Sequence, residues 1–218
     1  MTAAAIRAVV FDVGETLVDE TRPWGAWADW LGVPRLTFFA VLGGMIARGE
    51  EHPRAAEVLR PGLDLRAEAA RRRAEHGTPW VHADDLYPDA VPAIRALREA
   101  GYRVGVAGNQ PLETEQVIRD LGVPLDLVAT SAGLGVAKPD PAFFTRVAEA
   151  LGLDPSEIAY VGDRIDNDVR PAAAAGMRAI FVRRGPWAVL QELEAGLPAE
   201  AAAVIESLLE LPEVLDRL

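Results

Sequence analysis

One short apolar run near the N-terminus, which ends in an aspartate, constrains the fold of this chain more than any other stretch. Residues 9–11 are β-branched or aromatic, and Asp12 and Gly14 follow them closely. Such a run predicts a buried strand, which here ends at a carboxylate. Because ligands of open α/β sheets bind outside the carboxyl ends of the strands, we expect Asp12 to face a site and not the core.

Further strand-like runs alternate with helical patterns in the second part of the chain. The runs predicted as strands are 102–107, 127–130, 158–162, 179–182 and 202–205. The helical segments between most of them end at a glycine, which is typical of a helix C-terminus. Strands that alternate with helices of about ten residues indicate an α/β fold, with a parallel sheet covered by helices on both faces.

A long segment of different character separates the first strand from this alternating region. From residue 21 to about residue 82, apolar side chains recur at helical spacing, and strand-like alternation is missing. The segment is too long for an ordinary loop. We therefore predict an all-helical domain, residues 19–83, inserted into a core of residues 1–18 and 84–218. Its aromatic side chains could line an apolar substrate pocket or pack as its core: Trp24, Trp27, Trp30, Phe38 and Phe39.

The composition argues against several classes of function. The 218 residues include no cysteine, so disulfides, thiolate zinc sites and cysteine nucleophiles are excluded, and a metal would be a hard ion held by oxygen. A net charge of −11 argues against a nucleic-acid surface. The apolar runs are shorter than the roughly 20 residues of a membrane span, and no signal pattern precedes the first strand. We expect a cytoplasmic protein without nucleic-acid or membrane partners.

Polar residues stand at the ends of the later strands as well. Asn109 follows the second strand in sequence, Lys138 follows the third, and Asp163 and Asp168 follow the fourth. Each of these residues alone is a weak signal. Together with Asp12, and each after a strand-like run, they indicate one site at the carboxyl edge of the sheet.

With these four motifs in this order, the chain resembles the haloacid dehalogenase-like (HAD) hydrolase superfamily over essentially its whole length. A helical cap would then lie between the first and second motifs. The resemblance implies a Rossmann-like core of parallel strands, a magnesium ion and an aspartyl enzyme intermediate. The commonest activity in the family is hydrolysis of phosphate monoesters, so the implied partner is a small phosphorylated molecule. Some relatives hydrolyse carbon–halogen or phosphonate bonds.

The resemblance also implies roles for individual residues. Asp12 matches the nucleophile, which divides one difficult step into two. Lys138 matches the cation that neutralises the attacking carboxylate and the substrate anion. Asn109 and the main-chain amide of Gln110 match the second motif, and with Gly108 they would bind the transferring oxygens.

A magnesium site is implied by the same resemblance. Its ligands would be Asp12, the main-chain carbonyl of Gly14, Asp163 and Asp168, which suits an ion that prefers a few oxygen ligands and keeps several waters. Asp166 lies between the last two, and we expect it to be a helix N-cap and not a ligand.

Two positions depart from the pattern of the phosphatases in this family. Those enzymes carry a second aspartate two residues after the nucleophile, as general acid and base; here that residue is Gly14, which cannot move a proton. The usual serine or threonine of the second motif is Gly108, so a hydroxyl is missing. Glu15 is the nearest replacement carboxylate. It could supply the proton, or it could point away and cap the loop.

Three functions are compatible with these residues. The first is magnesium-dependent hydrolysis of a small phosphate monoester on Asp12, at a low rate. The second is halide release from a short 2-haloacid, because dehalogenases also lack an aspartate at the Gly14 position, although they carry an aromatic residue there. The third is a binding or regulatory protein that has lost turnover. The phosphonate route is disfavoured, since residues 21–82 contain no lysine for a Schiff base.

Overall fold

The computed structural model describes residues 4–50, 52, 54–76 and 82–218, and the chain divides into two units. The α/β unit consists of Met1–Asp19 and His82–Leu218, and the helical unit consists of Glu20–Val81. The division lies close to the predicted domain boundaries. Each unit is described by itself below.

A six-stranded sheet forms the centre of the α/β unit. Its strands are β1 (Ala8–Phe11), β2 (Arg103–Gly108), β3 (Leu127–Thr130), β4 (Ile158–Gly162), β5 (Arg178–Val182) and β6 (Ala203–Ile205). The strand order is β3-β2-β1-β4-β5-β6, and every neighbouring pair is parallel. Every residue of β1 and β4 is buried, so the sheet is covered on both faces. The predicted α/β fold with a parallel sheet is confirmed.

The central position of β1 brings three chain segments to one edge. Phe11, the last residue of β1, pairs with Val106 of β2 and with Val161 of β4. Because all three strands run in the same direction, the residues that follow them begin side by side. Asp12 therefore lies between the segment after β2 and the segment after β4.

The described part of the α/β unit has seven α-helices, of which six lie between strands and α11 follows β6. They are α5 (Ala90–Glu99), α6 (Glu113–Asp120), α7 (Ser131–Leu134), α8 (Pro141–Leu151), α9 (Arg170–Ala174), α10 (Gly185–Ala195) and α11 (Leu211–Leu215). The start of α8 matters most for the site. The Asp140 carboxylate accepts a hydrogen bond from the backbone N–H of Ala142, and Pro141 occupies the first turn. The helix therefore begins at Pro141, three residues after Lys138. This N-terminus fixes the chain directly after Lys138.

Four helices make up the described part of the helical unit. They are α1 (Thr21–Trp30), α2 (Arg35–Ala47), α3 (Arg54–Leu59) and α4 (Leu65–His76). Trp24 of α1 stacks on Phe38 of α2 with ring centroids 6.2 Å apart, and the indole N–H of Trp30 donates to Glu68 of α4 at 2.8 Å. These three side chains thus contact a neighbouring helix of their own unit, and of the five aromatic residues only Phe38 is fully buried. The choice between pocket lining and core packing stays a prediction.

No single helix among the described residues has both the length and the apolar composition of a membrane span. The consecutive helices α1 and α2 reach this length and apolar composition only when they are taken together, and the chain bends by 114° at the break between them.

Asp89, directly before α5, ties the C-terminal segment to the centre of the α/β unit. Its carboxylate accepts two hydrogen bonds from Arg184, at 3.0 and 2.6 Å, and further ones from the Ser207 hydroxyl at 2.8 Å and the Leu208 N–H at 3.0 Å. Burial alone would raise the pKa of Asp89, but these hydrogen bonds outweigh it and lower the pKa. The ionised form therefore stabilises the folded state.

We predict that D89N lowers the free energy of unfolding by about 2 kcal/mol at pH 7, since it weakens charge-assisted hydrogen bonds to Arg184. The folded-state pKa of Asp89 is depressed, so the difference between wild type and variant should be present above about pH 4 and shrink as the pH falls below it. Urea unfolding across this pH range measures it. E213Q, in the exposed pair with Arg217, is the control and should unfold like wild type. A D89N curve identical to that of E213Q would contradict the prediction.

Candidate active site

Four side chains predicted from the sequence meet at the carboxyl edge of the sheet. The Lys138 ammonium donates to Asp12 Oδ1 at 2.6 Å and to Asp168 Oδ1 at 2.5 Å. Carboxylate oxygens of Asp12, Asp163 and Asp168 all lie within 4.8 Å of one another. The structure thus places one cation and three carboxylates together, although they come from three separate stretches of the chain.

The site is largely buried and carries an excess of negative charge. Asp163 and Asp168 are almost completely buried, and Asp12 is 8% exposed. Burial, followed by the charges of Asp168 and Asp12, raises the pKa of Asp163 well above its usual value. Burial also raises the pKa of Asp168, to about 6, although Lys138 opposes this shift. One ammonium does not neutralise three carboxylates, so the arrangement favours a further positive charge.

A carboxylate oxygen of Asp163 is available to bind such a positive charge. The Thr16 hydroxyl donates to its Oδ1 at 3.4 Å, whereas its Oδ2 is buried and has no hydrogen-bond partner in the described structure. A buried carboxylate oxygen without a partner is costly. Three carboxylates in close proximity are the donor set that a hard divalent cation such as Mg²⁺ prefers. Gly14 lies in the same turn between Asp12 and Thr16, and its carbonyl remains a predicted ligand.

Lys138 is held on its other side by aromatic rings. Its ammonium nitrogen lies 5.6 Å from the ring centroid of Tyr160 and 6.0 Å from that of Phe143. The Tyr160 hydroxyl donates to the carbonyl oxygen of Ala107 at 2.7 Å, which fixes this ring across β1. Lys138 is also the only lysine in the sequence. The sequence interpretation missed Tyr160; the signal was a hydroxyl-bearing aromatic residue within an otherwise aliphatic buried strand.

Two glycines at strand ends leave room for the carboxylates. A Cβ atom on Gly108 would lie 2.7 Å from Asp12 Oδ1 and 3.1 Å from Val13 Cγ2. A Cβ atom on Gly162 would overlap the side chain of Asp168. A side chain at position 108 would therefore require the Asp12 carboxylate to shift from its present position.

Asn109 contacts the main chain of Lys138 at two points. Its side-chain N–H₂ donates to the carbonyl oxygen of Lys138 at 2.9 Å, and its side-chain oxygen accepts from the backbone N–H of Lys138 at 2.8 Å. The backbone N–H of Gln110 donates to Gly108 O at 2.9 Å. In this arrangement Asn109 orients Lys138. Binding of transferring oxygens by Asn109 and Gln110 stays a prediction, and the Gln110 N–H would have to leave Gly108.

The fourth motif, residues 162–168, runs into a π-helical turn, Ile165–Val169, before α9. The backbone N–H of Arg164 donates to Asp168 Oδ2 at 3.0 Å, so Asp168 binds both this turn and Lys138. Asp166 instead pairs with the Arg164 guanidinium, at 3.1 and 2.7 Å, and accepts from Gln191 at 2.7 Å. The prediction that Asp166 caps a helix is wrong, because its carboxylate is bound by these two side chains.

A cleft of about 520 Å³ opens beside the second motif. No charged side chain lines it. The lining residues are Asn109, Gln110, Pro111, Ser131, Ala132, Gly135, Val136 and Ala137.

Comparison with known proteins gives one consistent family. A model of the haloacid dehalogenase-like hydrolases matches residues 6–176. A glyceraldehyde 3-phosphate phosphatase from Methanopyrus kandleri is 38% identical over 147 residues, which cover 64% of this chain and 62% of that protein, less than two thirds of its length. A protein with the same name from Pyrococcus furiosus is 29% identical, with coverage of 97% and 94%.

A solved structure supports the fold. The putative HAD-hydrolase YfnB from Bacillus subtilis, described as bound to magnesium, matches with a TM-score of 0.74 at 18% identity. The match covers 98% of this chain and 100% of that one. At this identity the similarity speaks for the architecture alone.

We predict that Lys138 stays protonated beyond the ordinary lysine range. Burial by itself would lower its pKa, but the Asp12 and Asp168 carboxylates outweigh this and hold the pKa well above its usual value. Biosynthetic labelling with [¹³Cε]lysine gives a single NMR signal, because the chain has one lysine. Its titration midpoint should exceed about 10.4, and D168N should lower it. A midpoint below that value in the folded protein would refute the placement of Lys138 between two carboxylates.

Proposed function

The chain belongs to the haloacid dehalogenase-like hydrolases, and on that basis we propose that it hydrolyses the phosphate monoester of a small metabolite through a covalent intermediate on Asp12, with Mg²⁺. The contact of Lys138 with both Asp12 and Asp168, beside the unpartnered oxygen of Asp163, carries this proposal. The two relatives named as glyceraldehyde 3-phosphate phosphatases support a small phosphorylated substrate.

Asp12 is the residue that attacks phosphorus. In the first step a carboxylate oxygen of Asp12 bonds to phosphorus, the bond to the leaving oxygen breaks, and that oxygen departs with the electron pair and takes up a proton from solvent. In the second step water attacks the same phosphorus and loses a proton to solvent, the bond to Asp12 breaks, and carboxylate and inorganic phosphate are released. Two steps with a good internal nucleophile replace one difficult attack by water.

Lys138 and the aspartates supply the electrostatic part of the reaction. The ammonium at 2.6 Å from Asp12 offsets the repulsion between the attacking carboxylate and the anionic phosphoryl group. Asp12, Asp163 and Asp168, with the carbonyl of Gly14, would hold the metal. Bound Mg²⁺ supplies positive charge at the phosphoryl oxygens. Asn109 keeps the backbone of Lys138 in place through its two hydrogen bonds.

The cleft beside the second motif bears on the charge of the substrate. It adjoins Asn109 and Gln110, and no charged side chain lines it. A part of the substrate that lies in this cleft would therefore carry little charge, since a charged group would find no opposite charge there.

The test is release of phosphate from a panel of small phosphate esters with and without Mg²⁺. We expect Mg²⁺-dependent turnover that D12N reduces by at least about 10³-fold, because the nucleophile is gone. D168N should also lose activity. D166N is the matched control, since Asp166 is exposed and its carboxylate pairs with Arg164 and Gln191. Beryllofluoride should inhibit with Mg²⁺. Halide release from 2-haloacids without phosphatase activity would favour the second function, and binding without turnover the third.

We predict that the rate depends steeply on the acidity of the leaving group, because Gly14 offers no proton to the departing oxygen. Aryl phosphates of decreasing leaving-group pKa should therefore react progressively faster. G14D should raise the rate on poor leaving groups by about 10- to 100-fold and flatten the dependence. Gly14 is not among the residues with positive φ, so aspartate meets no left-handed strain there. A flat dependence in the wild type would show that another residue already donates the proton.

A further inference from the structure

The turn that follows Asp12 has an unusual backbone at Glu15. The backbone N–H of Glu15 donates to Val18 O at 2.7 Å, and the N–H groups of Leu17 and Val18 both donate to Val13 O. Glu15 has φ +51°, and among the described residues no other non-glycine has a positive φ. An L-residue with a side chain adopts this conformation at a cost. Something in the surroundings must therefore hold Glu15 there.

The Glu15 side chain is buried in a fitted slot. Only 5% of the residue is exposed, and its Oε2 accepts a hydrogen bond from the Tyr87 hydroxyl at 2.6 Å. Gly185 lies against it: a Cβ atom on Gly185 would come within 2.5 Å of Glu15 Oε2 and 2.7 Å of Glu15 Cβ. Glycine at position 185 is therefore required for Glu15 to fit. The sequence left open whether Glu15 supplies a proton or points away and caps the loop. In the structure its carboxylate binds the Tyr87 hydroxyl.

Tyr87 and Arg184 bind three successive residues of the turn. The backbone N–H of Tyr87 donates to Leu17 O at 2.9 Å, in addition to its hydroxyl bond to Glu15. The Arg184 guanidinium covers the Tyr87 ring at 4.5 Å and donates to Thr16 O at 3.3 Å. Burial, followed by the Glu15 charge, raises the pKa of Tyr87, so its hydroxyl remains a donor over the working pH range.

We propose that Tyr87, acting through Glu15, is a positioning residue that holds the turn of residues 13–18 in register with the three aspartates, so that the Gly14 carbonyl would join the residues that hold the divalent cation. Thr16 already donates to Asp163 on the site side of this turn. Loss of the anchor lets the turn shift and separates Gly14 from the aspartates. The inference rests on the proposed function, in which Gly14 and the aspartates hold the metal.

The experiment measures metal affinity directly. Mn²⁺ binding to the full chain is followed by the electron paramagnetic resonance signal of free Mn²⁺, and Mg²⁺ binding by competition. Y87F removes one hydroxyl and keeps the ring under Arg184. E15G removes the carboxylate and suits φ +51°. Each variant should weaken Mn²⁺ binding by about 5- to 10-fold. The double variant should bind Mn²⁺ with the affinity of the single variant that binds less tightly, because Tyr87 acts through Glu15.

Two further variants separate geometry from other effects. E15Q keeps an oxygen that accepts from Tyr87, so it should bind Mn²⁺ within about 2-fold of wild type. Y102F makes the same substitution at another tyrosine of the α/β unit and should leave Mn²⁺ affinity unchanged. A Y87F protein with a lowered melting temperature but wild-type Mn²⁺ affinity would overturn the proposal. So would independent losses that multiply in the double variant, or an E15Q as weak as E15G.

Failure of this inference and failure of the proposed function have different signatures. D163N should abolish Mn²⁺ binding, since Asp163 is a central oxygen ligand of the proposed site. If D163N binds Mn²⁺ as wild type does, both the metal site and the role of Tyr87 are wrong. If D163N loses binding while Y87F retains it, the metal site stands and only the positioning role is wrong.

Discussion

The rest of the site depends on the contact of one buried ammonium with two buried carboxylates. Lys138 lies at 2.6 Å from Asp12 and 2.5 Å from Asp168, with aromatic rings on its other side. Two like charges would not stay this close in a buried site without the cation between them. An ammonium is a compact point charge, whereas the arginine fork needs more space. This explains physically why the chain, which otherwise relies on arginine, has its only lysine here.

The same contact explains other features of the sheet edge. Gly108 and Gly162 leave room for the side chains of Asp12 and Asp168, and Asn109 holds the backbone of Lys138 from the second motif. Gly108 and Asn109 act on partners from other stretches of the chain, whereas Gly162 and Asp168 belong to the same motif. Glycine at position 108 thus accommodates the Asp12 carboxylate where it lies in this structure. The departure at Gly14 is different, because no contact in the described structure replaces the proton donor that it removes.

Much of the architecture could be predicted from the sequence because the local signals agree with the fold. The strands after β1 begin and end within a residue or so of the predicted runs, and the apolar run before Asp12 is the central strand. Two local elements were harder. Helix α10 was not predicted, because apolar residues such as Val189 and Leu193 lie on its exposed side and blur the periodicity. The helix expected after Asp166 begins as a π-helical turn. The spacing of apolar residues does not distinguish the hydrogen bonding of such a turn from that of an α-helix.

The candidate site could be predicted only where residues resemble a known motif. Asp12, Lys138, Asp163 and Asp168 meet as expected, whereas the anchoring of Glu15 by Tyr87 depends on two residues 72 positions apart that match no motif. Long-range partners of this kind follow from the tertiary fold and not from spacing.

The central position of β1 also bears on how the chain acquires its structure. Asp12 and Lys138 are 126 positions apart, and Asp168 follows another 30 later. Asp12 is synthesised first of these residues, and its carboxylate meets the Lys138 ammonium only after the later part of the chain has folded against β1. Closing such long loops is slow. If the helical unit compacts on its own, the effective loop between β1 and the later strands becomes shorter. The pairing of β1 with its two neighbouring strands would then be faster.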